Sequence, residues 1–192
     1  VSRISPEAPI PVLRARRTVA MPGGVGNVAR NVAALGGQAR LGAVAGLDSA
    51  GGELTALIAV GDRVEDGLVR PESAATIGKT RFVAAGQQLL RLDDEQPAAG
   101  GYGEKAVFKD AKAIMLSDYA KGVVDDGAIQ AALWAGAEYG APVIVDPKGR
   151  DFARYGAVDV IKPNASELAG ATGLPTETDE QVEAALAALL DA

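Results

Sequence analysis

The chain has 192 residues, of which 48% are hydrophobic and 23% charged, a balance that fits one sizeable α/β domain with its own core. It contains no cysteine and no histidine, which excludes thiol nucleophiles, disulfides, cysteine-ligated zinc and histidine acid–base chemistry within these residues. Any reaction must therefore use carboxylates, lysine, backbone amides or a hard metal bound by oxygen.

Charge and hydropathy bear on the partners of the chain. Nineteen basic against 25 acidic residues give a net charge of −6, which disfavours binding to nucleic acid. The one local basic cluster, Arg14, Arg16 and Arg17, is typical of a solvated loop or strand edge. No segment approaches the roughly 18 apolar residues of a membrane span, and no signal peptide is visible. We therefore expect a cytoplasmic protein that binds neither membranes nor nucleic acid. The chain starts without methionine and stops just after a helical pattern, so we expect both ends to be cut.

In chain order, the first predicted elements are an extended segment and two helices that flank a strand. Residues 2–13 carry three prolines, which predicts an extended edge segment and not a central strand. Residues 22–36 have a glycine-rich start, apolar residues at helical spacing and a final glycine, and so predict a helix. A short strand ending at Asp48 and a helix over residues 51–61 follow.

Residues 67–93 change to short alternating runs. Residues 79–84 and 87–93 are two such runs, and the Ala85-Gly86 pair between them predicts a β-hairpin. Alternate residues of a strand face the same way, so residues 87, 89 and 91 are expected to share one face. The pattern fits a lid or dimer clasp and an ordinary surface hairpin equally well.

The remaining sequence alternates strands with helices. Apolar strands are predicted within residues 113–118, 141–149 and 157–164, with a helix over 125–140 and a last one over 178–190. This alternation predicts an α/β fold with a doubly wound parallel sheet and right-handed crossovers. We expect two parts, given as residue ranges: an α/β body of 21–66 and 95–192, and a small β lid or clasp of 1–20 and 67–94.

Polar side chains follow each of these three predicted strands. They are Asp118 and Lys121 after the first strand, Asp146 and Lys148 after the second, and Asn164 and Glu167 after the third. Because the carboxyl ends of parallel strands meet at one edge of a sheet, where ligands bind, these side chains are candidates for a site. The competing interpretation is that strand-end aspartates merely cap helices or form turns.

Asn164 and Glu167 stand three residues apart at a predicted helix start. That spacing is a helix-capping signature. It also places an amide oxygen and a carboxylate on one helix face, where they can hold Mg²⁺ near a polyphosphate, directly or through water. The sequence leaves both interpretations open.

Two further segments carry polar or glycine residues suited to a ligand. Gly23 and Gly24, with Asn27 in the first helical turn, allow a ligand to approach the backbone, although a bare turn into a helix has the same composition. This segment matches neither a Walker A loop nor a GxGxxG fingerprint. The hairpin offers a cationic, hydrogen-bonding face that suits a phosphorylated sugar, although a solvated hairpin would look similar. Its candidate residues are Lys79, Arg81, Gln87 and Arg91.

These segments resemble the ribokinase-like (PfkB) carbohydrate kinases over essentially the whole chain. Residues 22–36 resemble the GG-x-x-N-x-A segment of that family, and residues 164–167 resemble its N-x-x-E motif. The segments SRISPEAPIPV, QQLLRLD, LSDYAKG and DPKGRDFARY more specifically resemble kinases of D-glycero-β-D-manno-heptose 7-phosphate. In many bacteria such a kinase domain is fused to a nucleotidyltransferase of ADP-heptose synthesis.

The resemblance implies a ribokinase-like fold, ATP-dependent phosphorylation of the anomeric hydroxyl of the heptose phosphate, and Mg²⁺ at the phosphates. It also implies a homodimer formed through the β lid. The sugar contacts that it implies are Gly23, Gly24, Asn27, Lys79, Arg81, Gln87, Arg91, Asp118 and Lys121. The residues implied on the side of ATP and Mg²⁺ are Lys148, Asn164 and Glu167, with Glu167 as the metal contact.

The sequence departs from the family pattern in three places. An Arg-Asn pair expected before the double glutamine is Ala85-Gly86 here, and neither a GD-x-x-x-D strand nor a GAGD motif occurs among the 192 residues. The GAGD aspartate is the catalytic base of the family, so we expect no catalytic residue in this chain and no kinase activity from it alone. The alternatives are a kinase of another phosphosugar, or a non-catalytic sugar-binding or dimerising fragment; the missing GxGxxG disfavours a Rossmann oxidoreductase.

Overall fold

The computed structural model describes residues 3–8, 11–12, 14–97 and 105–190. Strands β1 (Arg3–Ile4) and β2 (Pro11–Val12) pair antiparallel, so the predicted extended segment is a small hairpin of its own. Four residues of that predicted segment, 2, 9, 10 and 13, lie outside the described residues. Among the described helices, none has the length and apolar character needed to cross a bilayer.

The first half of the body is a β/α unit with a parallel strand pair. Its elements are α1 (Gly24–Ala34), β3 (Ala39–Val44), α2 (Ser49–Ile58) and β4 (Val64–Val69). One buried cluster holds both helices on the sheet, and its members include Ala29 of α1, Ile58 of α2, Leu41 of β3 and Leu68 of β4. Both predicted helices are confirmed.

Strand β4 is an element that the sequence patterns did not indicate. It pairs with β3 in parallel along its whole length, from Ala39 opposite Val64 to Val44 opposite Val69. Residues 67–69, the start of the expected β lid, therefore pair inside the parallel sheet of the body, and the lid hairpin proper begins at Gly78.

The predicted hairpin is confirmed as β5 (Gly78–Ala84) and β6 (Gln87–Asp94), which pair antiparallel. Its turn residues Ala85 and Gly86 have φ of 51° and 78°, as the tight turns that match strand twist require. Ala85 adopts this conformation without the freedom of glycine, at a cost of about 1 kcal/mol.

A β-bulge changes which hairpin residues share a face. Phe82 pairs with Leu90 and Val83 with Gln88, so Leu89 has no cross-strand partner. The extra residue shifts the alternation beyond it, and the prediction that Gln87 shares the face of Arg91 is wrong for this reason. One face carries Lys79, Arg81, Val83, Gln88, Arg91 and Asp93, and the other carries Thr80, Phe82, Ala84, Gln87, Leu90 and Leu92.

The second half of the body is the predicted alternation of strands and helices, with a three-stranded parallel sheet. Its elements are β7 (Ile114–Ser117), α3 (Asp126–Tyr139), β8 (Val143–Asp146), β9 (Val160–Ile161), α4 (Ala165–Thr172) and α5 (Asp179–Leu190). Helix α3 buries Ile129 against Ile114, Val143 and Val145 of the sheet. The three strands therefore end at one edge, as predicted, and the polar residues that follow them are brought together there.

Asp48 fixes the start of α2 to the segment that leads into the lid hairpin. Its Oδ1 accepts from the Gly51 N–H (2.7 Å) and its Oδ2 from the Thr76 N–H (2.8 Å). The bonds from Thr76, followed by that from Gly51, hold the pKa of the Asp48 carboxyl below its ordinary value. A Cβ at Gly51 would stand 2.2 Å from the Gly46 carbonyl oxygen, so glycine is required at this contact.

Replacing Asp48 tests this connection. Asp48→Ala loses the helix cap and the bond to Thr76, and we expect the free energy of unfolding at pH 7 to fall by about 1–2 kcal/mol in urea denaturation. Asp48→Asn keeps a capping side chain and is expected to lose less. The pKa of Asp48 in the folded protein lies below the ordinary value of 3.8. The part of the stabilisation that depends on the Asp48 charge is therefore fully present above pH 3.8 and is lost as the pH falls through the folded-state pKa. Asp48→Ala and wild type unfolding at the same urea concentration would contradict this role.

Candidate functional site

Most of the predicted site residues line one broad cleft. Its volume is about 3830 Å³, well above the roughly 300–1,000 Å³ of a single-ligand pocket, so a ligand would contact only part of its wall. The predicted residues that line it are Gly23, Gly24, Asn27, Lys79, Arg81, Arg91, Asp118, Lys121 and Lys148. Gln87, Asn164 and Glu167 lie outside this lining.

The glycine-rich turn reaches the cleft because an aromatic ring packs against it. Gly24 has φ of +47°, a conformation that favours glycine, and a Cβ there would stand 3.4 Å from the ring of Tyr119. Tyr119 belongs to the loop after β7, so the turn and this loop are neighbours. The exposed Asn27, in the first turn of α1, is thereby placed at the same cleft as Asp118.

Asp118, directly after β7, is a carboxylate with only 3% of its side chain exposed. Its Oδ1 accepts from the Ala120 N–H (2.7 Å), and its Oδ2 accepts from the Tyr155 hydroxyl (2.8 Å) and from Arg154 Nη1 (3.1 Å). Three donors use three of the roughly four acceptor positions of a carboxylate. Among the described residues, Oδ1 has this one donor, so it retains the capacity to accept a second hydrogen bond.

Tyr155 is fully buried and lies on a short 3₁₀ helix (Ala153–Tyr155) between β8 and β9. Burial raises the pKa of its phenol to about 12, so the phenol is neutral at any physiological pH. Its oxygen accepts from the Lys148 N–H at 3.1 Å. Sequence reasoning did not select Tyr155 or its neighbour Arg154, because neither stands at a strand end and neither belongs to a spacing with a chemical meaning.

Glu95 joins the lid hairpin to the loop after β7. Its two oxygens accept from the ammonium groups of Lys79 and Lys121. These bonds, from Lys121 first and then from Lys79, lower the pKa of the Glu95 carboxyl, and the bonds to Glu95 and Asp93 raise the pKa of Lys79. Glu95 was also missed by sequence reasoning, although the acidic run at residues 93–95 is a visible signal.

Two arginines face each other across the hairpin. Arg81 and Arg91 are direct cross-strand partners, an arrangement that is destabilising for like charges. Arg91 has an ion pair with Asp93 (2.8 Å), whereas no described residue forms an ion pair with Arg81. An anionic ligand between the two guanidinium groups would relieve this repulsion.

The capping interpretation of Asn164 and Glu167 is confirmed. Asn164 Oδ1 accepts from the Glu167 N–H, and Glu167 Oε2 accepts from the Asn164 N–H, both at 2.9 Å. Glu167 Oε1 also accepts from Lys148 Nζ (2.9 Å), and this bond raises the pKa of Lys148. Burial opposes ionisation of Glu167, but the bonds from Asn164 and Lys148 outweigh it and lower its pKa.

The donor set around Glu167 limits how a metal can bind. Within the described residues, no cluster of three or more acidic side chains is suited to hold an ion. Both Glu167 oxygens already have partners in the fold. A Mg²⁺ ion here would therefore have to keep most of its waters and take its other contacts from ligand phosphates, which is a common arrangement for this ion.

The family of the chain follows from comparison with known proteins. The whole chain, residues 1–192, matches the pfkB family of carbohydrate kinases. The chain therefore belongs to the PfkB carbohydrate kinase family.

Relatives and solved structures agree with this assignment. The chain is 49% identical over 191 residues to the bifunctional protein HldE of Rhodospirillum rubrum and 46% identical over 198 residues to that of Gluconacetobacter diazotrophicus. These matches cover 95% and 99% of this chain but only 38% and 41% of the relatives, so the chain spans about two fifths of their length.

Solved structures show the same fold. Arabidopsis thaliana ribokinase in complex with ribose and ATP matches with a TM-score of 0.68 and 23% identity over 94% of this chain and 61% of that one. Escherichia coli phosphofructokinase-2 in complex with fructose-6-phosphate matches with a TM-score of 0.68 and 24% identity, over 96% of this chain and 63% of that one. The predicted ribokinase-like α/β fold is confirmed.

Proposed function

We propose that the protein containing this chain transfers the γ-phosphoryl group of ATP to the anomeric hydroxyl of D-glycero-D-manno-heptose 7-phosphate. The products would be ADP and a heptose 1,7-bisphosphate, and the reaction would be one step in the synthesis of ADP-heptose for the lipopolysaccharide core, in the cytoplasm. The observation that carries the proposal is the pair of Arg81 and Arg91, which lie opposite each other on the cleft that Asp118 also lines. Among the described residues, Arg81 has no acidic partner. The family membership and the HldE relatives support it.

The sugar would bind between the body and the hairpin. Arg81 and Arg91 would bind its phosphate, because guanidinium groups match phosphate oxygens in geometry and charge. The free acceptor position of Asp118 and the amide of Asn27 would bind its hydroxyls. Lys79 and Lys121 would add positive charge once a phosphate competes with Glu95, and the backbone at Gly23 and Gly24 allows a close approach. Gln87, at the hairpin turn, stays a predicted contact.

The nucleotide would bind at the ends of β8 and β9. Lys148 would bind its phosphates, exchanging its bond to Glu167 for a phosphate oxygen. Glu167, supported by Asn164, would hold Mg²⁺ through water; when bound, this ion neutralises the charge that develops on the transferred group. The described residues thus bind and orient both substrates, while the catalytic base is proposed to be the family's GAGD aspartate, absent from these 192 residues.

A sugar panel tests the proposed substrate. ADP release by the full-length protein is measured with heptose 7-phosphate, fructose 6-phosphate and ribose. We expect kcat/KM to be highest for heptose 7-phosphate and at least about tenfold lower for ribose, which lacks the phosphate that the paired arginines would bind. The 192 residues alone are expected to release no ADP. A preference for fructose 6-phosphate would favour the alternative hexose phosphate kinase, and sugar binding by the full-length protein without turnover would favour a non-catalytic sugar-binding protein.

A matched pair of arginine variants accompanies the panel. Arg81→Met is expected to raise KM for the phosphorylated sugar because it removes one phosphate contact. Arg30→Met removes an exposed arginine of α1 that does not line the cleft, and it is expected to leave KM unchanged. Equal KM values in the two variants would contradict a phosphate site at Arg81.

Glu167→Gln separates the two functions of this side chain. Glutamine preserves the capping box, so the free energy of unfolding should change by less than about 1 kcal/mol. The lost charge should lower kcat by about 10–100-fold at a fixed Mg²⁺ concentration, the range seen when a metal-supporting residue is changed. Glu183→Gln, at an exposed position of α5, is the control. A Glu167→Gln enzyme with wild-type kcat would show that the residue only caps α4.

The hairpin also supports the proposed homodimer. All eight residues of β6 are exposed, and Leu90 and Leu92, on the face opposite the arginines, are 56% and 57% exposed. An apolar face of this kind is suited to pack against the hairpin of a second copy.

The dimer is tested by the mass of the particle in solution. The double variant Leu90→Lys/Leu92→Lys should convert a dimer to a monomer in sedimentation or light scattering, because it places charge in the apolar contact. Leu35→Lys changes another exposed leucine, outside the hairpin, and should leave the dimer intact. A dimer that survives the double variant would rule out this face.

A further inference from the structure

One buried phenol joins the ends of neighbouring strands. The Tyr155 hydroxyl donates to Asp118 Oδ2 after β7 (2.8 Å) and accepts from the Lys148 N–H after β8 (3.1 Å). The Lys148 ammonium donates to Glu167, which in turn accepts from the Asn164 N–H after β9. Two groups of hydrogen bonds, joined covalently through the Lys148 side chain, therefore run along the edge of the sheet from the proposed sugar side to the proposed nucleotide side.

The direction of each bond at Tyr155 follows from its single hydrogen. The phenol can donate only once, and the charged Asp118 oxygen at 2.8 Å is the stronger acceptor than the Lys148 carbonyl at 3.3 Å. The phenol oxygen is then free to accept from the Lys148 N–H. Phenylalanine would fill the same space but would leave this N–H without its partner and remove one donor from Asp118.

Arg154 holds the phenol from the outer side. Its guanidinium lies 5.3 Å from the centre of the Tyr155 ring, and it donates to Asp118 Oδ2 (3.1 Å) and to the Val124 carbonyl (3.0 Å). The ring is thus fixed by packing, by a cation above it and by two hydrogen bonds of its hydroxyl.

We propose that Tyr155 is a positioning residue that fixes the backbone at Lys148 relative to Asp118. It thereby sets where the Lys148 ammonium meets the phosphates of the nucleotide. This inference rests on the proposed function, in which Lys148 binds those phosphates. Tyr155 touches neither substrate and acts through the residues it holds.

The test is steady-state kinetics of the full-length protein with Tyr155→Phe. We expect kcat to fall about tenfold and KM for the sugar to change less than about twofold, since a misplacement on the order of 1 Å can lower turnover up to about a hundredfold. Lys148→Met and the double variant complete a cycle. If Tyr155 acts through Lys148, the double variant is no slower than Lys148→Met alone.

Two controls separate positioning from general destabilisation. Tyr139→Phe removes a phenol oxygen at the end of α3, and its kcat should equal that of the wild type. Arg154→Met removes the cation beside the ring and also a charged donor to Asp118, so it should raise KM for the sugar as well as lower kcat. The proposal would be overturned by a wild-type kcat in Tyr155→Phe. It would also be overturned if the effects of Tyr155→Phe and Lys148→Met on kcat multiplied in the double variant.

Hydrogen exchange gives a readout that does not depend on activity. The Lys148 amide should exchange faster in Tyr155→Phe than in the wild type or in Tyr139→Phe, because it has lost its acceptor. Unchanged exchange would contradict the positioning role. A wild-type protein without kinase activity would contradict the proposed function, while the exchange difference would still decide whether Tyr155 holds the backbone at Lys148.

Discussion

Asp118 is the point on which the arrangement of the site depends. A nearly buried carboxylate is costly unless donors surround it, and here a backbone N–H, a phenol and a guanidinium each donate to it. These donors come from two loops that are far apart in sequence, so satisfying one charge brings them together. The parallel pairing of β7 with β8 makes this possible, because it brings both strand ends to the same edge.

The hairpin differs from the Asp118 site because it retains a repulsive pair of like charges. Arg81 and Arg91 stand opposite each other, and of these two arginines only Arg91 has an ion pair with Asp93. A purely structural hairpin gains nothing from such a pair. An unrelieved like-charge pair beside a cleft is what a protein that binds an anionic ligand would retain, because the ligand supplies the missing counter-charge. Glu95 shows the complementary case, in which an internal carboxylate neutralises two lysines.

Periodicity and strand-end chemistry predicted much of the fold and part of the site. The helices α1, α2, α3 and α5, the hairpin and the three-stranded parallel sheet follow from patterns that have a direct physical cause. Strand β4 was missed because residues 64–69, VEDGLV, have two acidic residues and a glycine within a short run, and only pairing with β3 reveals it.

The rest of the site could not be predicted because it depends on long-range contacts. Tyr155 meets Asp118 across 37 residues of sequence, and Glu95 meets Lys121 across 26. The spacing of Asn164 and Glu167 predicted their mutual bonds, since those are local, but not the bond from Lys148. A bulge at Leu89 is equally invisible in a sequence of alternating residues, and it changed the face on which Gln87 lies.

That bulge leaves Leu89 without a position in the ladder. Gln88 therefore lies opposite Val83, on the side of the cationic residues, and Gln87 lies opposite Ala84, on the apolar side. A regular ladder with the same number of residues would instead place Leu89 opposite Val83, on the side of the arginines. The position of the extra residue is therefore itself a constraint: shifting it along β6 would move side chains from one side of the hairpin to the other even when every residue type is kept.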